Sequence, residues 1–270
     1  MSFSAQHITV NNRQVRYYEA GEPHRQVLFL LHGGFGDAQL HWEETAQHFQ
    51  RRFYIIAPDL PGYGETEPLP RMSINALVTW ARDLLEALGL DDAVVIGNSF
   101  GGLIARLLAA QHPRYASTLV LVNGGVIPDI SPVARLLART PIIGSGLFNR
   151  LATRMTTRSE LELGIENHEM MTDEFMEKMR ADRPGLSKLL RALASSPQPT
   201  ETLPKGQVLL LWGEEDAITP ARVGKAINKA IPDSRLEIIS QCRHMPHLEL
   251  PDVFQYQLES FLKDLSGPTL

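Results

Sequence analysis

Several features that would direct a protein to a membrane, a nucleic acid or an oxidising compartment are missing from this sequence. Cys242 is the only cysteine among the 270 residues, so no intramolecular disulfide can form. The apolar runs are no longer than a β-strand, and residues 1–14 lack the basic start and the apolar stretch of a secretory signal. Lys and Arg total 26 against 31 Asp and Glu, a net charge of −5 with no block of like charge. We therefore expect a cytoplasmic protein with no nucleic-acid partner and no membrane partner.

The sequence does contain enough apolar residues for a large core, arranged in a regular alternation of two patterns. Hydrophobic residues make up 43% of the chain. Short apolar runs, each followed by a turn and then by a longer helical pattern, predict an α/β fold with a parallel sheet covered by helices. The predicted strands are 27–31, 54–57, 93–96, 119–122, 208–212 and 236–239, and the predicted helices are 74–88, 100–111 and 253–265. Runs 7–10 and 14–18 alternate around Asn11-Asn12 and predict an antiparallel hairpin at the sheet edge.

The alternation breaks between about residues 127 and 204, where strand-like runs are missing. Helical stretches interrupted by Pro and Gly predict a helical cap, inserted between two strands and lying over their carboxyl ends. The core would then be residues 1–126 and 205–270, and the cap residues 127–204. A second independent domain is the alternative, and it would need a core of its own. Five of the eight methionines lie in this stretch and either pack its helices or line a substrate pocket, to which we assign Met170 and Met171.

The strongest candidate for a reactive group is Ser99. The run Gly97-Asn98-Ser99-Phe100-Gly101 joins the end of a predicted strand to the start of a predicted helix. A serine on such a sharp turn has strained backbone angles and an exposed hydroxyl, and the flanking glycines remove side chains that would collide there. The following helix adds a positive partial charge at its N-terminus. A serine that only caps the helix is the alternative, and it would not need both glycines.

A second glycine-rich loop, His32-Gly33-Gly34-Phe35-Gly36, follows an earlier predicted strand. Glycines there allow backbone N–H groups to approach a negatively charged oxygen, and we predict an oxyanion hole formed by the amides of Gly34 and Phe100. Phosphate binding is the alternative, but the loop matches neither nucleotide-binding glycine pattern. We expect His32 to shape the loop by hydrogen bonding, because it belongs to the turn itself.

A serine nucleophile needs a general base, and the base needs a carboxylate that orients it. Asp216 follows one buried strand and His244 follows the last one, which gives the chain order Ser99, Asp216, His244. Glu214 and Glu215 lie nearer the strand and compete with Asp216 as the acid.

His247 competes with His244 as the base, but it lies nearer the helix after Pro251. A zinc site built from Cys242, His244, His247 and Glu249 is a further alternative. No matching ligand pair occurs elsewhere in the sequence, so we expect neither a metal nor a cofactor.

Together these motifs resemble the α/β-hydrolase superfamily over nearly the whole chain. The matching segments are His32-Gly33-Gly34, Pro58-Asp59-Leu60-Pro61-Gly62-Tyr63-Gly64, Gly97-Asn98-Ser99-Phe100-Gly101-Gly102, Trp212-Gly213-Glu214-Glu215-Asp216 and His244-Met245-Pro246-His247-Leu248-Glu249. The resemblance implies a mostly parallel eight-stranded sheet, a helical cap after the sixth strand and a Ser99-His244-Asp216 triad. Haloalkane dehalogenases and soluble epoxide hydrolases look similar around residues 58–64, but they use an aspartate nucleophile.

Asn98 beside the nucleophile is similar to the meta-cleavage-product hydrolases, which split a carbon–carbon bond in ring-fission dienones. Those enzymes usually have Gly-Pro-Gly-Ala where this chain has residues 35–38, and tryptophan where it has Met245. Hydrolysis of a small-to-medium apolar acyl ester, by a carboxylesterase or lactonase, is therefore our first prediction, and carbon–carbon hydrolysis the second. A ligand sensor or a non-hydrolytic protein of the same fold is a third. We place Phe35, Asn98 and Met245 in the pocket of a small-molecule substrate.

Overall fold

The apolar runs of the sequence form one eight-stranded sheet in a computed structural model that describes residues 3–197 and 203–266. The strands are β1 (Ser4–Val10), β2 (Arg13–Ala20), β3 (Val27–Leu31), β4 (Tyr54–Pro58), β5 (Val94–Asn98), β6 (Thr118–Val122), β7 (Gln207–Gly213) and β8 (Arg235–Ile239). Their order across the sheet is β1-β2-β4-β3-β5-β6-β7-β8. From β4 to β8 every neighbouring pair is parallel, whereas β1 with β2 and β2 with β4 are antiparallel. The predicted mostly parallel sheet is confirmed.

The predicted hairpin at the sheet edge is also confirmed. Asn11 and Asn12 have φ angles of 49° and 61°, the left-handed values that a tight two-residue connection between antiparallel strands requires. The predicted core begins at residue 1 and ends at residue 270, and of these, residues 1, 2 and 267–270 lie outside the described residues.

Helices cover both faces of the sheet. Those packed with the core strands are α1 (Ala38–Phe49), α2 (Ile74–Ala87), α3 (Ser99–Gln111), α9 (Ala221–Ala230), α10 (Pro246–Glu249) and α11 (Pro251–Ser266). The hydroxyl of Ser73 accepts a hydrogen bond from the N–H of Ala76 at 3.2 Å and caps α2, as the sequence predicts. Helices α1 and α9 were not predicted. The buried face of α1 includes His41 and Thr45, which hide its apolar periodicity.

The stretch between β6 and β7 is helical in its described part. It contains α4 (Pro132–Arg139), α5 (Pro141–Met155), α6 (Arg158–Leu161), α7 (Asp173–Ala181) and α8 (Arg183–Ser195), with a 3₁₀-helix at His168–Met170. Residues 198–202 of the predicted cap lie outside the described residues. Helices α4 and α5 pack against α8.

Each parallel strand contributes alternate side chains to two apolar clusters. Phe29 and Leu31 of β3 pack in the cluster that includes α2, α3 and the helices between β6 and β7. Leu28 and Leu30 pack in the cluster formed with α1 and α11 on the opposite face. The strands are therefore buried on both faces, and only their ends are available for a site.

Helix α3 begins so close to β3 that residue 101 must be glycine. A Cβ atom at Gly101 would lie 2.3 Å from the carbonyl oxygen of Leu31. We expect Gly101→Ala to lower the free energy of unfolding by about 3 kcal/mol, because backbone must move to relieve the overlap. Urea unfolding would measure the loss.

Gly146 in α5 is the matched control, since a Cβ atom there would meet nothing within 4 Å. Gly146→Ala should leave stability unchanged or raise it by up to about 1 kcal/mol, as alanine favours a helix. Equal effects of the two substitutions would contradict this account of the close approach.

Candidate active site

The junction of β5 and α3 forms the sharp turn that the sequence predicts. Ser99, the first residue of α3, has a φ angle of 51°, in the left-handed region that a side chain rarely adopts. The loop after β6 passes close behind this turn: a Cβ atom at Gly124 would lie 2.3 Å from the carbonyl oxygen of Ser99. The loop after β6 therefore helps to hold Ser99 in this strained conformation. Ser99 remains partly exposed.

Ser99 opens onto a cavity of about 250 Å³. Three other residues predicted for the site also line it: Gly34, Phe35 and Phe100. The remaining lining residues are Gly124, Val126, Pro128, Met155, Leu186, Leu189, Leu190, Leu193, Ile218 and Thr219. Most of this lining is apolar, and the four leucines all come from α8, so the cavity suits a ligand that is largely apolar.

The loop after β3 is held by His32, as the sequence predicts. The Nδ1–H of His32 donates to the carbonyl of Gly33 at 2.7 Å, and its Nε2 accepts from the N–H of Leu60 at 2.8 Å. Burial lowers the pKa of His32 to about 4, so the ring stays neutral and can make both bonds. The hydroxyl of Tyr63 donates to the carbonyl of Gly34 at 2.9 Å and fixes the next peptide of the loop.

Two more buried histidines, His41 and His247, also support the glycine-rich loop. The Nε2–H of His41 donates to the carbonyl of Phe35 at 2.5 Å. His41 Nδ1 then accepts from the Nε2–H of His247 at 2.9 Å, and the His247 ring stacks on Trp42 with 4.5 Å between centroids. Burial lowers the pKa of His41 to about 3 and that of His247 well below its usual value. His247, the alternative base, therefore supports the glycine-rich loop, and sequence reasoning missed His41.

Asp216 and His244 come together at the carboxyl ends of β7 and β8. The Nδ1–H of His244 donates to an Oδ2 atom of Asp216 at 2.8 Å, and both side chains are buried. Asn123 Nδ2 at 2.5 Å and Thr219 Oγ1 at 2.8 Å donate to the same oxygen. Burial alone would raise the pKa of Asp216, but these hydrogen bonds outweigh it and lower the pKa below its usual value. The carboxylate is therefore held in its charged form.

The other ring nitrogen of His244 faces no hydrogen-bond partner within the described part of the chain, although it is buried. Two contacts place the ring near Ser99. Asn98 Nδ2 donates to the carbonyls of His244 and Val122, each at 3.1 Å. Thr219 lines the cavity beside Ser99 and lies 3.2 Å from His244 Nδ1. A buried imidazole whose Nε2 is free to accept a proton, on a loop bonded to the residue before Ser99, has the properties of a candidate general base.

Glu249 fixes the loop that carries His244. Its carboxylate accepts from the N–H groups of Met245 at 2.8 Å, Arg243 at 3.3 Å and Glu166 at 2.6 Å. The last of these joins the loop to the helices between β6 and β7. The backbone around His244 is thus held on both sides.

The alternative acids take other positions. Glu214 and Glu215 are exposed, whereas Asp216 is buried. Glu215 accepts from the N–H groups of Gln241 and Cys242 at 3.2 and 3.0 Å, so its carboxylate supports the same loop from outside. Among these three acids, Asp216 alone contacts His244 in the described structure.

Four residues assigned to the substrate pocket do not line this cavity. Asn98 is buried and its amide donates to backbone carbonyls, and Met245 is buried in the core. Met171 packs in the core, and Met170 lines a separate surface groove beside α1. Met155 is the methionine that reaches the cavity. Asn98 and Met245 are next in sequence to the candidate catalytic residues Ser99 and His244, but neither side chain lines the cavity.

Sequence reasoning missed two polar residues that contact the Asp216–His244 pair, Asn123 and Thr219. Asn123 directly follows the buried strand β6, which is the same signal that identified Asp216 after β7. Thr219 lies three residues after Asp216 and has no such signal, because only the fold of the loop turns its hydroxyl back.

An ion-pair cluster connects the glycine-rich loop with the helices between β6 and β7. Asp37, which caps α1, accepts from Lys178 of α7 at 3.2 Å and lies 3.5 Å from Arg16. Arg16 also pairs with buried Asp59 at 2.5 Å. Burial opposes a charged Asp37, but the N–H of Leu40 and Lys178 lower its pKa below the usual range.

The residues considered for zinc binding have other partners. His244 and His247 contact Asp216 and His41, and Glu249 accepts backbone N–H groups. Burial raises the pKa of the Cys242 thiol, which disfavours the thiolate that would bind a metal. Within residues 3–197 and 203–266, no group of three or more His, Cys, Asp or Glu side chains is placed to hold a metal ion. Over the same ranges, no helix combines the length and the apolar character needed to cross a bilayer.

Comparison with known proteins agrees with the resemblance that the motifs indicate. A model of the alpha/beta hydrolase family matches residues 28–254. The pimeloyl-(acyl-carrier protein) methyl ester esterase of Vibrio vulnificus is 28% identical over 87% of this chain and 93% of its own length. The 2-hydroxy-6-oxononadienedioate/2-hydroxy-6-oxononatrienedioate hydrolase of Paraburkholderia phymatum is 26% identical over 92% and 91%. The structure of a thermophilic esterase from Thermogutta terrifontis superposes with a TM-score of 0.78, at 23% identity over 97% and 98% of the two chains, which is a likeness in fold.

The buried histidines should make the fold sensitive to acid. In the unfolded chain each has a pKa near 6.5, whereas burial keeps His32, His41 and His247 neutral well below that pH. The unfolded chain then binds protons that the folded chain does not. The free energy of unfolding should fall by about 1.4 kcal/mol for each histidine between pH 7.5 and 5.5.

Asp182 opposes this trend, because burial and the nearby charges of Asp37 and Asp59 raise its pKa to about 7. On acidification the folded chain therefore protonates Asp182 at a higher pH than the unfolded chain does, which stabilises the fold. Urea unfolding of the wild type and of Asp182→Asn at both pH values would separate the two contributions. The loss on acidification should be larger in Asp182→Asn, and a stability independent of pH in that variant would contradict the neutral histidines.

Proposed function

This chain belongs to the alpha/beta hydrolase family, and we propose that it is a serine hydrolase with Ser99 as nucleophile, His244 as general base and Asp216 as the orienting acid. The observation that carries the proposal is the state of His244. Its Nδ1–H donates to a buried carboxylate at 2.8 Å, its Nε2 has no partner among the described residues, and Asn98, the neighbour of Ser99, donates to its backbone carbonyl at 3.1 Å. That is the tautomer a base needs to accept the proton of a serine hydroxyl.

In the proposed first step, Ser99 Oγ attacks the carbonyl carbon of the substrate while its proton moves to His244 Nε2. The positive charge on the imidazole is stabilised by Asp216, whose charged form the bonds from Asn123 and Thr219 maintain. His244 then gives the proton to the leaving group, and an acyl-enzyme remains. Water attacks this ester with His244 again acting as base, and Ser99 is regenerated.

The amides of Gly34 and Phe100 are the proposed oxyanion hole. Phe100 is the second residue of α3, so its N–H has no acceptor within the helix and shares the positive partial charge of the helix N-terminus. The loop that carries Gly34 is held by buried hydrogen bonds from Tyr63 to Gly34 and from His41 to Phe35. Each donor of such a hole contributes about 3–4 kcal/mol to the stabilisation of the transition state.

We propose that residues 127–204 act as a cap over this cavity. Four leucines of α8 line the side of the cavity opposite the strand ends, and closing them over a substrate would remove water from it. Among the bonds that join this segment to the core are the Lys178–Asp37 ion pair and the Glu249 bond to the backbone of Glu166.

The proposed substrate is an ester with a small-to-medium apolar acyl group. A cavity of about 250 Å³ lined largely by leucine, phenylalanine, valine and methionine provides no charged partner for a substrate. The Vibrio relative, an ester hydrolase by name, supports this class.

Carbon–carbon hydrolysis of ring-fission dienones is the second candidate. The Paraburkholderia relative, named for the hydrolysis of such compounds, favours it. The lining of the cavity favours an ester, because the polar side chain of Asn98 does not reach it.

Replacement of Ser99 tests the proposed nucleophile. Ser99→Ala should reduce ester turnover on the order of 10⁶-fold, because no other step can form the acyl-enzyme. His244→Ala should do the same, whereas Ser159→Ala, at an exposed site in α6, should retain wild-type rates. Initial rates with p-nitrophenyl butyrate measure all three. Wild-type turnover by Ser99→Ala with an unchanged circular dichroism spectrum would exclude this nucleophile.

A substrate panel tests the proposed specificity. We expect kcat/KM to be higher for acetyl to hexanoyl esters than for esters with charged acyl groups or for ring-fission dienones, with Ser99→Ala protein as the blank. Leu189→Phe should lower kcat/KM for the hexanoyl ester more than for the acetyl ester, because Leu189 is a buried part of the cavity wall. A preference for dienones would instead support carbon–carbon hydrolysis.

A further inference from the structure

Helices α4 and α5 carry a set of large apolar side chains on the protein surface. Val133 and Leu136 of α4 are each 67% exposed, and Ile142 and Ile143 at the start of α5 are 87% and 63% exposed. Leu147 and Leu151 continue the row along α5. We call these six residues the apolar face.

The apolar face is not needed to pack these helices on the rest of the protein. Helix α5 buries a different row, formed by Gly144, Phe148 and Ala152, which recur every four residues on the side that packs on α8. Ile143, Leu147 and Leu151 follow the same spacing on the neighbouring side, which is exposed. Contiguous exposed apolar side chains of this kind mark an interaction surface.

The charge around the apolar face has one sign. Residues 130–158 contain five arginines and no Asp, Glu or Lys, whereas the whole chain has a net charge of −5. Arg139 and Arg150 are exposed within the two helices, and neither has an ion-pair partner in the described residues. Arg154 is paired with Glu160 at 2.7 Å. The face therefore combines apolar side chains with unneutralised positive charge.

We propose that the apolar face docks onto an anionic lipid surface. Apolar side chains flanked by arginines are suited to the boundary between acyl chains and anionic headgroups. There the apolar side chains are removed from water and the arginines attract the headgroups. A second copy of this chain fits less well. A symmetric dimer would bring together two copies of a face whose unpaired charges, on Arg139 and Arg150, are all positive. The proposal departs from the sequence-based expectation of no membrane partner, which used the charge of the whole chain and not of this segment.

The apolar face lies on helices that are connected to the cavity at Ser99. Helix α8, on which α4 and α5 pack, contributes four leucines to the cavity at Ser99 on its other side. Met155, the last residue of α5, also lines that cavity. Docking would hold α5 and α8, which both line the cavity at Ser99, close to the membrane and within reach of apolar molecules dissolved there. Binding to lipid requires no reaction at Ser99, so it stands or falls independently of the proposed hydrolysis.

Vesicle flotation tests the proposal directly. The full chain should bind vesicles of equal parts phosphatidylglycerol and phosphatidylcholine at least tenfold more tightly than vesicles of phosphatidylcholine alone. The double variant Ile142→Ser with Ile143→Ser should lose at least tenfold in binding. Arg139→Gln with Arg150→Gln should bind both vesicle types alike and lose the salt dependence of the wild type.

Val253→Ser with Tyr256→Ser is the matched control, because these apolar residues are exposed on α11 at the opposite face of the sheet. It should bind like the wild type, and all variants should keep the wild-type midpoint of thermal unfolding. Absence of binding to the anionic vesicles, or equal binding by the Ile142/Ile143 variant, would overturn the proposal. A wild-type dimer in sedimentation equilibrium that the same variant dissociates would assign the face to a second copy and also overturn it.

Discussion

The hydrogen bond from His244 Nδ1 to the buried carboxylate of Asp216 is the constraint that organises this site. The bond requires a charged carboxylate, although burial raises the pKa of Asp216. Hydrogen bonds from His244 itself, from Asn123 and from the backbone N–H of Thr219 outweigh burial and lower that pKa. The His244–Asp216 bond also fixes the ring tautomer, so Nε2 of His244 carries no hydrogen and is free to accept a proton. The loop anchors at Glu249 matter because they keep this one bond aligned.

Histidine has a different role on the other side of the site. His32, His41 and His247 are buried without a carboxylate partner and remain neutral, so each ring acts as a fixed donor and acceptor for the backbone of the glycine-rich loop. The same residue type therefore supports the loop as a neutral ring at three positions and, in the proposed mechanism, carries a proton at His244. Contact with a buried carboxylate separates His244 from the other three. These three histidines hold the loop in place, but because they are buried in the neutral form they lower the free energy of unfolding in acid.

Sequence reasoning succeeded where a local pattern carries its own physical cause. The strand–turn–helix junction at Ser99 and the Asn11-Asn12 hairpin follow from backbone sterics, and both are found where predicted. It failed where the decisive neighbour is distant. Helix α1 was missed because His41 and Thr45 are buried by tertiary packing. Asn98 does not line the cavity, because its amide donates to carbonyls of β6 and of the loop after β8. The net charge of the whole chain likewise gave no sign that α4 and α5 carry only positive charge.

The central claim is that Asp216 holds His244 in the one tautomer able to activate Ser99. The rate at which a fluorophosphonate probe labels Ser99, followed by mass spectrometry in the wild type and in Asp216→Asn, tests this most directly. An asparagine at this position preserves the shape but can donate to Nδ1 and favour the wrong tautomer. The account predicts a fall in labelling rate on the order of 10³–10⁴-fold. Labelling of both proteins at the same rate would contradict it.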